Sequence, residues 1–346
     1  MGPTGLGTSA ARPPRPARGG AEPEELRIPR FHFPWPSACH PEVEGAERRA
    51  QEFAARFGLV PDAAYRTRLA RTKYGWLAAR CYPHADRELL QIAADYFTWF
   101  FIVDDLFVDR VQTVTPRTIP NLTAMIDVLD YNRPGADPVF GEHAWLDVCT
   151  RLRRRLSHEH FQRFAHGMRM WASTAGLQIV NHLQQSSVDV PQYETIRRHT
   201  SGTYPCLSLL DAAKAGPITP AEYNDPLAQR LCLHANNVVC WSNDVQSVQM
   251  EMNQPGQYWN MVVIYANQGL TLQESVDLVA QRVRSEIAAF QLLARATEQH
   301  AGDEMRGFIA GLRNWMRGYQ DWVDHDTRRY AQAHIAEDAD DTRVLA

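Results

Sequence analysis

Asp104, Asp105 and Asp109 stand where an apolar run, Tyr96-Phe97-Thr98-Trp99-Phe100-Phe101-Ile102-Val103, passes directly into carboxylates. A run so apolar has to be buried. Two carboxylates at the C-terminal end of the helix it predicts would face the negative end of the helix dipole, so a cation must compensate them. Asp105 and Asp109, four apart, share a face if the helix continues, with Asp104 rotated by about 100° from Asp105. Carboxylates at the rim of an apolar cavity make a hard-oxygen site suited to Mg²⁺, which keeps part of its water shell and bridges to substrate phosphates. Taken alone, the same pattern also describes an acidic helix terminus leading into a surface loop.

A second polar stripe lies in Asn243-Asp244-Val245-Gln246-Ser247-Val248-Gln249-Met250-Glu251. Asn243, Ser247 and Glu251 recur at fourfold spacing, so an amide oxygen, a hydroxyl and a carboxylate follow one helix face with about 40° of drift per step. Such ligands can hold one hard cation, and a single carboxylate leaves positive charge over for a phosphate. The preceding Val238-Val239-Cys240-Trp241 is apolar enough to make the setting buried. By itself, this stripe reads more plainly as a solvated polar face with an incidental Asn and Ser.

Together, D-D-x-x-x-D at Asp104 and N-D-x-x-S-x-x-x-E at Asn243 resemble the paired metal motifs of bacterial class I terpene synthases, and the likeness covers residues 31–334. The resemblance implies a single all-α helical bundle around a central apolar cavity, with the two motifs facing each other across its mouth. It implies three Mg²⁺ ions, with Asp104, Asp105, Asp109, Asn243, Ser247 and Glu251 as ligand candidates, Asp109 falling one position later than in the commonest D-D-x-x-D form. The diphosphate of an isoprenyl substrate would be sensed by an arginine ahead of the Asn, here Arg197, and bound by an Arg-Tyr pair near the C-terminus, here Arg329-Tyr330. Some relatives carry an Asp after the sensor arginine. This chain has Thr200, Ser201 and Gly202 there, so Ser201 and Gly202 are both candidates for the carbonyl that triggers ionisation. Phe97, Phe100, Phe101 and Trp322 lie near these residues in the sequence and are candidate cavity aromatics, since a ring face attracts a migrating cation by about 0.5–2 kcal/mol. Each also suits an ordinary core.

The activity implied by the resemblance is Mg²⁺-dependent heterolysis of an allylic C–O bond, cyclisation of the carbocation to a terpene hydrocarbon or alcohol, and release of diphosphate. Farnesyl diphosphate is the default substrate and geranylgeranyl diphosphate the next. A second D-D-x-x-D, the mark of head-to-tail prenyl diphosphate synthases, is missing. His158-Glu159-His160 does not supply the Glu-x-x-His pairs of a di-iron bundle. The reading from another class is a non-catalytic helical scaffold with solvated acidic clusters.

The elements that must position these residues are helical. Apolar residues recur at three and four over 86–107, 143–156, 158–184, 226–252, 272–299 and 302–332, and strand-like alternation is almost absent. Breaks fall at Tyr82-Pro83, Arg133-Pro134-Gly135, Pro191, Gly216-Pro217, Pro255-Gly256 and Gly269. Pro220 with Glu222, and Thr271 with Glu274, read as helix starts. Residues 1–30, rich in Pro, Gly, Ala and Arg, read as a disordered leader, 31–334 as one domain of ten or so helices, and 335–346 as an acidic disordered tail. Net charge is −4 and Lys73 and Lys214 are the only lysines, which offers no electrostatic footprint for nucleic acid. Phe97–Val103, the most apolar stretch, is too short for a membrane span. Six scattered cysteines without C-x-x-C pairs fit reduced thiols and a cytoplasmic location. The sequence leaves a homodimer open.

Overall fold

The computed structural model describes residues 26–105, 118–184, 188–213, 216–252 and 259–330. Every regular element among them is helical, as the spacing of apolar residues predicts. In chain order they are α1 (Val43–Arg56), α2 (Ala63–Thr72), α3 (Tyr74–Cys81), α4 (Arg87–Asp104), α5 (Thr118–Tyr131), α6 (Glu142–Arg155), α7 (His158–Gln184), α8 (Val190–Thr200), α9 (Thr203–Leu207), α10 (Pro220–Tyr223), α11 (Pro226–Met252), α12 (Met261–Asn267), α13 (Leu272–Glu298) and α14 (Asp303–Asp321). A 3₁₀ turn lies at Leu210–Ala213 and a π-helical turn at Trp322–Asp326. The short helices α2, α3, α9, α10 and α12 raise the number above the sequence expectation, because a helix of fewer than three turns leaves little periodicity to read.

α4 carries the first motif and is buried along nearly its whole length. Asp86 caps it by accepting the Leu89 N–H at 2.9 Å, which contributes about 1 kcal/mol. Leu89, Leu90, Ile92, Ala93, Tyr96, Phe97, Trp99, Ile102 and Val103 are all buried. Helices α1, α3 and α6 pack around it, and Trp99 stacks on Trp145 of α6 at 4.2 Å. α11, which carries the second motif, lies against α13 and α14, and α7 lies against α5, α8 and α9. Thr271 and Glu274 form the expected capping box at the start of α13, and Thr219 and Glu222 form one at α10. One hydrophobic cluster runs from Phe31 to Trp322. All six cysteines are free thiols. Among the described residues, no helix is long and apolar enough to cross a membrane.

Two expectations change. The helix predicted over 302–332 stops at Asp321; a π-helical turn follows, closed by Thr327 N–H to Trp322 O at 2.9 Å, and Thr327 is extended. Tertiary contacts override the periodicity here. Asp326 pairs with Arg80 at 2.8 Å, Trp322 Nε1 donates to the Thr72 and Lys73 carbonyls, and Arg328 N–H donates to Arg71 O at 2.9 Å. The leader expected to run to residue 30 is already tied down at Arg27, whose N–H and C=O are both bonded by the Gln273 side chain at 2.9 and 3.1 Å. Residues 1–25, Asp109, the Pro255-Gly256 break and the acidic tail lie outside the described residues.

Candidate active site

At the C-terminal end of α4 the cation demanded by the helix dipole is Arg329. Its Nη1 and Nη2 donate to Asp105 Oδ2 and Oδ1 at 2.8 and 2.5 Å, a bidentate pair, and Nη1 also donates to the Tyr74 hydroxyl at 2.9 Å. Burial works against the Arg329 charge, but Asp105, with Tyr74 and Tyr330, more than offsets this and holds the guanidinium above its ordinary range. Asp105, offered by the sequence as a metal ligand, is thus engaged through both oxygens by an arginine. Asp104 points elsewhere and accepts the Trp171 indole N–H from α7 at 3.1 Å.

On α11, Asn243 stands at the centre of a network. Arg197 Nη2 donates to Asn243 Oδ1 at 2.7 Å and to Asp244 Oδ1 at 3.0 Å, so Arg197, not its neighbour Arg198, faces the motif. Asn243 Nδ2 donates to the hydroxyls of Tyr330 and Tyr319 at 2.9 and 3.2 Å. One and two turns further on, Ser247 Oγ donates to Glu251 Oε1 at 2.6 Å, which brings two of the three predicted oxygen donors together. Asp244 is fully buried beneath them. Burial raises its carboxyl pKa, and Arg197, the Tyr193 hydroxyl and the Met261 N–H pull it back down. Burial likewise opposes the Arg197 charge, and Asp244 together with Tyr193, Cys240 and Glu251 outweighs it.

The two motifs therefore meet through consecutive residues: Arg329 binds Asp105 and Tyr330 binds Asn243. Asp104, Asp105, Asp244 and Glu251 bring four negative charges to a set in which Arg197 and Arg329 supply two. Such an excess favours bound cations.

Ser201 and Gly202 lie at the break between α8 and α9. Asn236 of α11 pins this break: its Nδ2 donates to Arg198 O at 3.0 Å, and its Oδ1 accepts the Ser201 hydroxyl at 3.2 Å. Gly202 has φ +66°, and a Cβ there would sit 2.1 Å from the Phe100 ring, so both backbone and space demand glycine. Its carbonyl accepts the Cys206 thiol at 3.2 Å.

The four candidate aromatics separate by burial. Phe101 is half-buried, stacked on Tyr74 at 4.5 Å, with the Arg329 guanidinium 5.3 Å from its centroid. Phe100 keeps a little exposed surface between Trp171 and Gly202. Phe97, packed among Tyr82, Tyr96 and Trp315, retains 2 % exposure, and Trp322 retains none. A side chain without accessible surface cannot line a cavity that admits even water, so Trp322 is corrected from cavity wall to core anchor.

Known proteins similar to this chain share one family. The sequence model of terpene synthase family 2, C-terminal metal binding, matches residues 95–289, which include both motifs and Arg197. The (+)-corvol ether B/(+)-corvol ether A synthase ((2E,6E)-farnesyl diphosphate cyclizing) of Kitasatospora setae is 75 % identical over 317 residues, 92 % of this chain and 99 % of that protein. The chain belongs to the terpene synthase family. A sesquiterpene synthase of Metarhizium brunneum is 56 % identical to this synthase over 91 % of the chain and 92 % of its own length. In fold, the synthase is similar to the crystal structure of a linalool/nerolidol synthase from Streptomyces clavuligerus, with TM-score 0.76 at 20 % identity over 85 % and 99 % of the two chains.

The donor set of the synthase suits a hard divalent cation: Asp104 and Glu251 carboxylates, the Asn243 amide oxygen and the Ser247 hydroxyl, all oxygen. No group of three His, Cys, Asp or Glu gathers at one point among the described residues, so the Asn and Ser oxygens are integral to any such set. Sequence reasoning missed Asp244, Tyr193, Trp171, Tyr319, Asn236 and Asn260, which surround the predicted residues. Asp244 and Asn260 carried readable signals, one adjoining Asn243 and the other preceding the apolar run Met261-Val262-Val263-Ile264 as a helix cap. Trp171 and Tyr319 carried none beyond helical periodicity.

Proposed function

We propose that this terpene synthase ionises (2E,6E)-farnesyl diphosphate and cyclises the cation, with three Mg²⁺ held by Asp104 on one side and by Asn243, Ser247 and Glu251 on the other. The observation that carries this reading is the bridge of Arg329-Tyr330 between Asp105 and Asn243, which joins both acidic motifs through the two side chains proposed to bind diphosphate. Mg²⁺ when bound neutralises the departing diphosphate and so lowers the cost of breaking the allylic C–O bond. Arg197 and Arg329, each held by a carboxylate, present their remaining N–H groups to the same anion, and Tyr330 adds a hydroxyl. Asp105 serves as the anchor of Arg329, leaving Asp104 as the ligand of the first motif. Phe101 and Phe100 supply ring faces beneath the charged end for the migrating cation.

The substrate assignment follows the 75 % identical relative, and the products expected are the corvol ethers for which that enzyme is named. An ether requires an oxygen that the farnesyl cation lacks. Capture of one water by the cation, with loss of one proton, balances the change. The test is incubation with farnesyl, geranylgeranyl and geranyl diphosphates, with Mg²⁺ and with chelator, followed by gas chromatography and mass spectrometry. Farnesyl diphosphate should give a C15 ether only when Mg²⁺ is present, and should give it labelled in ¹⁸O water. Turnover of geranylgeranyl diphosphate alone, or none with any substrate, contradicts the reading.

A further inference from the structure

The Glu251 carboxylate sits in the last turn of α11, where a flexible side chain would ordinarily be free to sweep. Here both of its oxygens are held: Oε1 by the Ser247 hydroxyl at 2.6 Å and Oε2 by Asn260 Nδ2 at 3.0 Å. Asn260 comes from outside the motif, at the start of α12, and is fully buried. Its side chain is used at every position. Oδ1 caps α12 by accepting Val262 N–H at 2.9 Å, and Nδ2 also donates to the backbone carbonyl of Asp244 at 2.8 Å. The next residue continues the grip, with Met261 N–H donating to Asp244 Oδ2 at 3.2 Å. Asp244 in turn holds Arg197.

We infer that Asn260 is a positioning residue for the metal site: through one amide group it fixes the Glu251 carboxylate against α11, with the Oε1 edge turned to Ser247, before any cation binds. This rests on the proposed role of Glu251 as a ligand. A helix cap needs only an oxygen at position 260, and serine or aspartate provides one. The Nδ2–Glu251 bond therefore exceeds what the cap requires. Donors that orient ligating carboxylates typically change metal affinity by about 10–100-fold when removed. Orientation before binding also spares the rotamer freedom that would otherwise be lost on binding.

The test separates cap from clamp. Asn260→Ser keeps a capping oxygen but cannot reach Glu251, and Asn260→Asp keeps the shape and the cap while placing an oxygen against the carboxylate. The readout is the rise in thermal midpoint on titrating Mg²⁺ in the presence of inorganic diphosphate, with Glu251→Gln as control and circular dichroism as the check on folding. Both Asn260 variants should fold and need at least about 10-fold more Mg²⁺ for the half-maximal rise, with aspartate the worse of the two. Where the serine variant does not fold, the aspartate variant carries the test. If the Asn260 variants respond to Mg²⁺ as the wild type does while Glu251→Gln has lost the response, Asn260 is only a cap and the inference falls. If the wild type itself shows no Mg²⁺-dependent rise, the metal reading fails and this inference fails with it.

Discussion

At the scale of single residues, the site divides the two adjacent acids of the first motif between different tasks. Asp105 is matched oxygen for nitrogen to Arg329, whereas Asp104 faces Trp171. Replacing Asp105 by Asn breaks one charge-assisted bond of the pair, worth about 1.5–3 kcal/mol, and should lower kcat/KM by about 10–100-fold with the Mg²⁺ requirement unchanged. Asp104→Asn should instead raise the Mg²⁺ concentration needed for half-maximal rate. Steady-state kinetics across a Mg²⁺ series distinguishes them, and a shifted Mg²⁺ requirement in the Asp105 variant would reverse the assignment. The fourfold spacing of Asn243, Ser247 and Glu251 was legible in the sequence because a single helix fixes it. The division between Asp104 and Asp105 was not, since it depends on a guanidinium more than two hundred residues away. Nor was the loss of Trp322 from the cavity, because nearness along the chain to Arg329 says nothing about which way the indole turns.

At the scale of elements, helices set the site and their ends do the delicate work. α11 carries the Asn243, Ser247 and Glu251 stripe and, through Asn236, also pins the break between α8 and α9. Gly202 at that break combines a left-handed backbone with a ring in the space where a side chain would go. Gly202→Ala should destabilise the protein by about 2–4 kcal/mol and displace Phe100, measurable as a lowered thermal midpoint with loss of activity; an unchanged midpoint would show that the break tolerates a side chain. Beneath the first motif, α4 and α6 are joined by Asp95 and Arg151 at 2.8 Å. Burial, outweighing Arg151 and the Gln91 amide, lifts the Asp95 carboxyl from 3.8 to about 6. The fold therefore holds an extra proton between those values, and the stability contributed by protonated Asp95 is full below about pH 4 and lost as pH rises through about 6. The lost contribution amounts to about 3 kcal/mol. Asp95→Asn should flatten this part of the stability profile. Urea midpoints at pH 4.5 and 7 test it, and parallel profiles for variant and wild type would contradict it.

At the scale of the whole molecule, four segments distant in the sequence converge at one end of the bundle: the end of α4, the end of α8, the second half of α11 and the chain after α14. Helical periodicity revealed the first and the third, as the bounds of α4 and α11 show, whereas α8 lies outside the segments whose periodicity read as helical. The last was legible only as a dipeptide. The sequence predicts that Arg329-Tyr330 rides a continuous helix to residue 332, but the π-helical turn at Trp322–Asp326 and the Arg80–Asp326 pair redirect the chain so that those two side chains close over both motifs. The most direct test of this convergence is a crystal structure with Mg²⁺ and inorganic diphosphate. Mg²⁺ should lie about 2.1 Å from oxygens of Asp104 and from those of Asn243, Ser247 and Glu251, with Arg197, Arg329 and Tyr330 on the diphosphate between them. Diphosphate bound elsewhere, or metal that touches neither ligand set, would contradict the account.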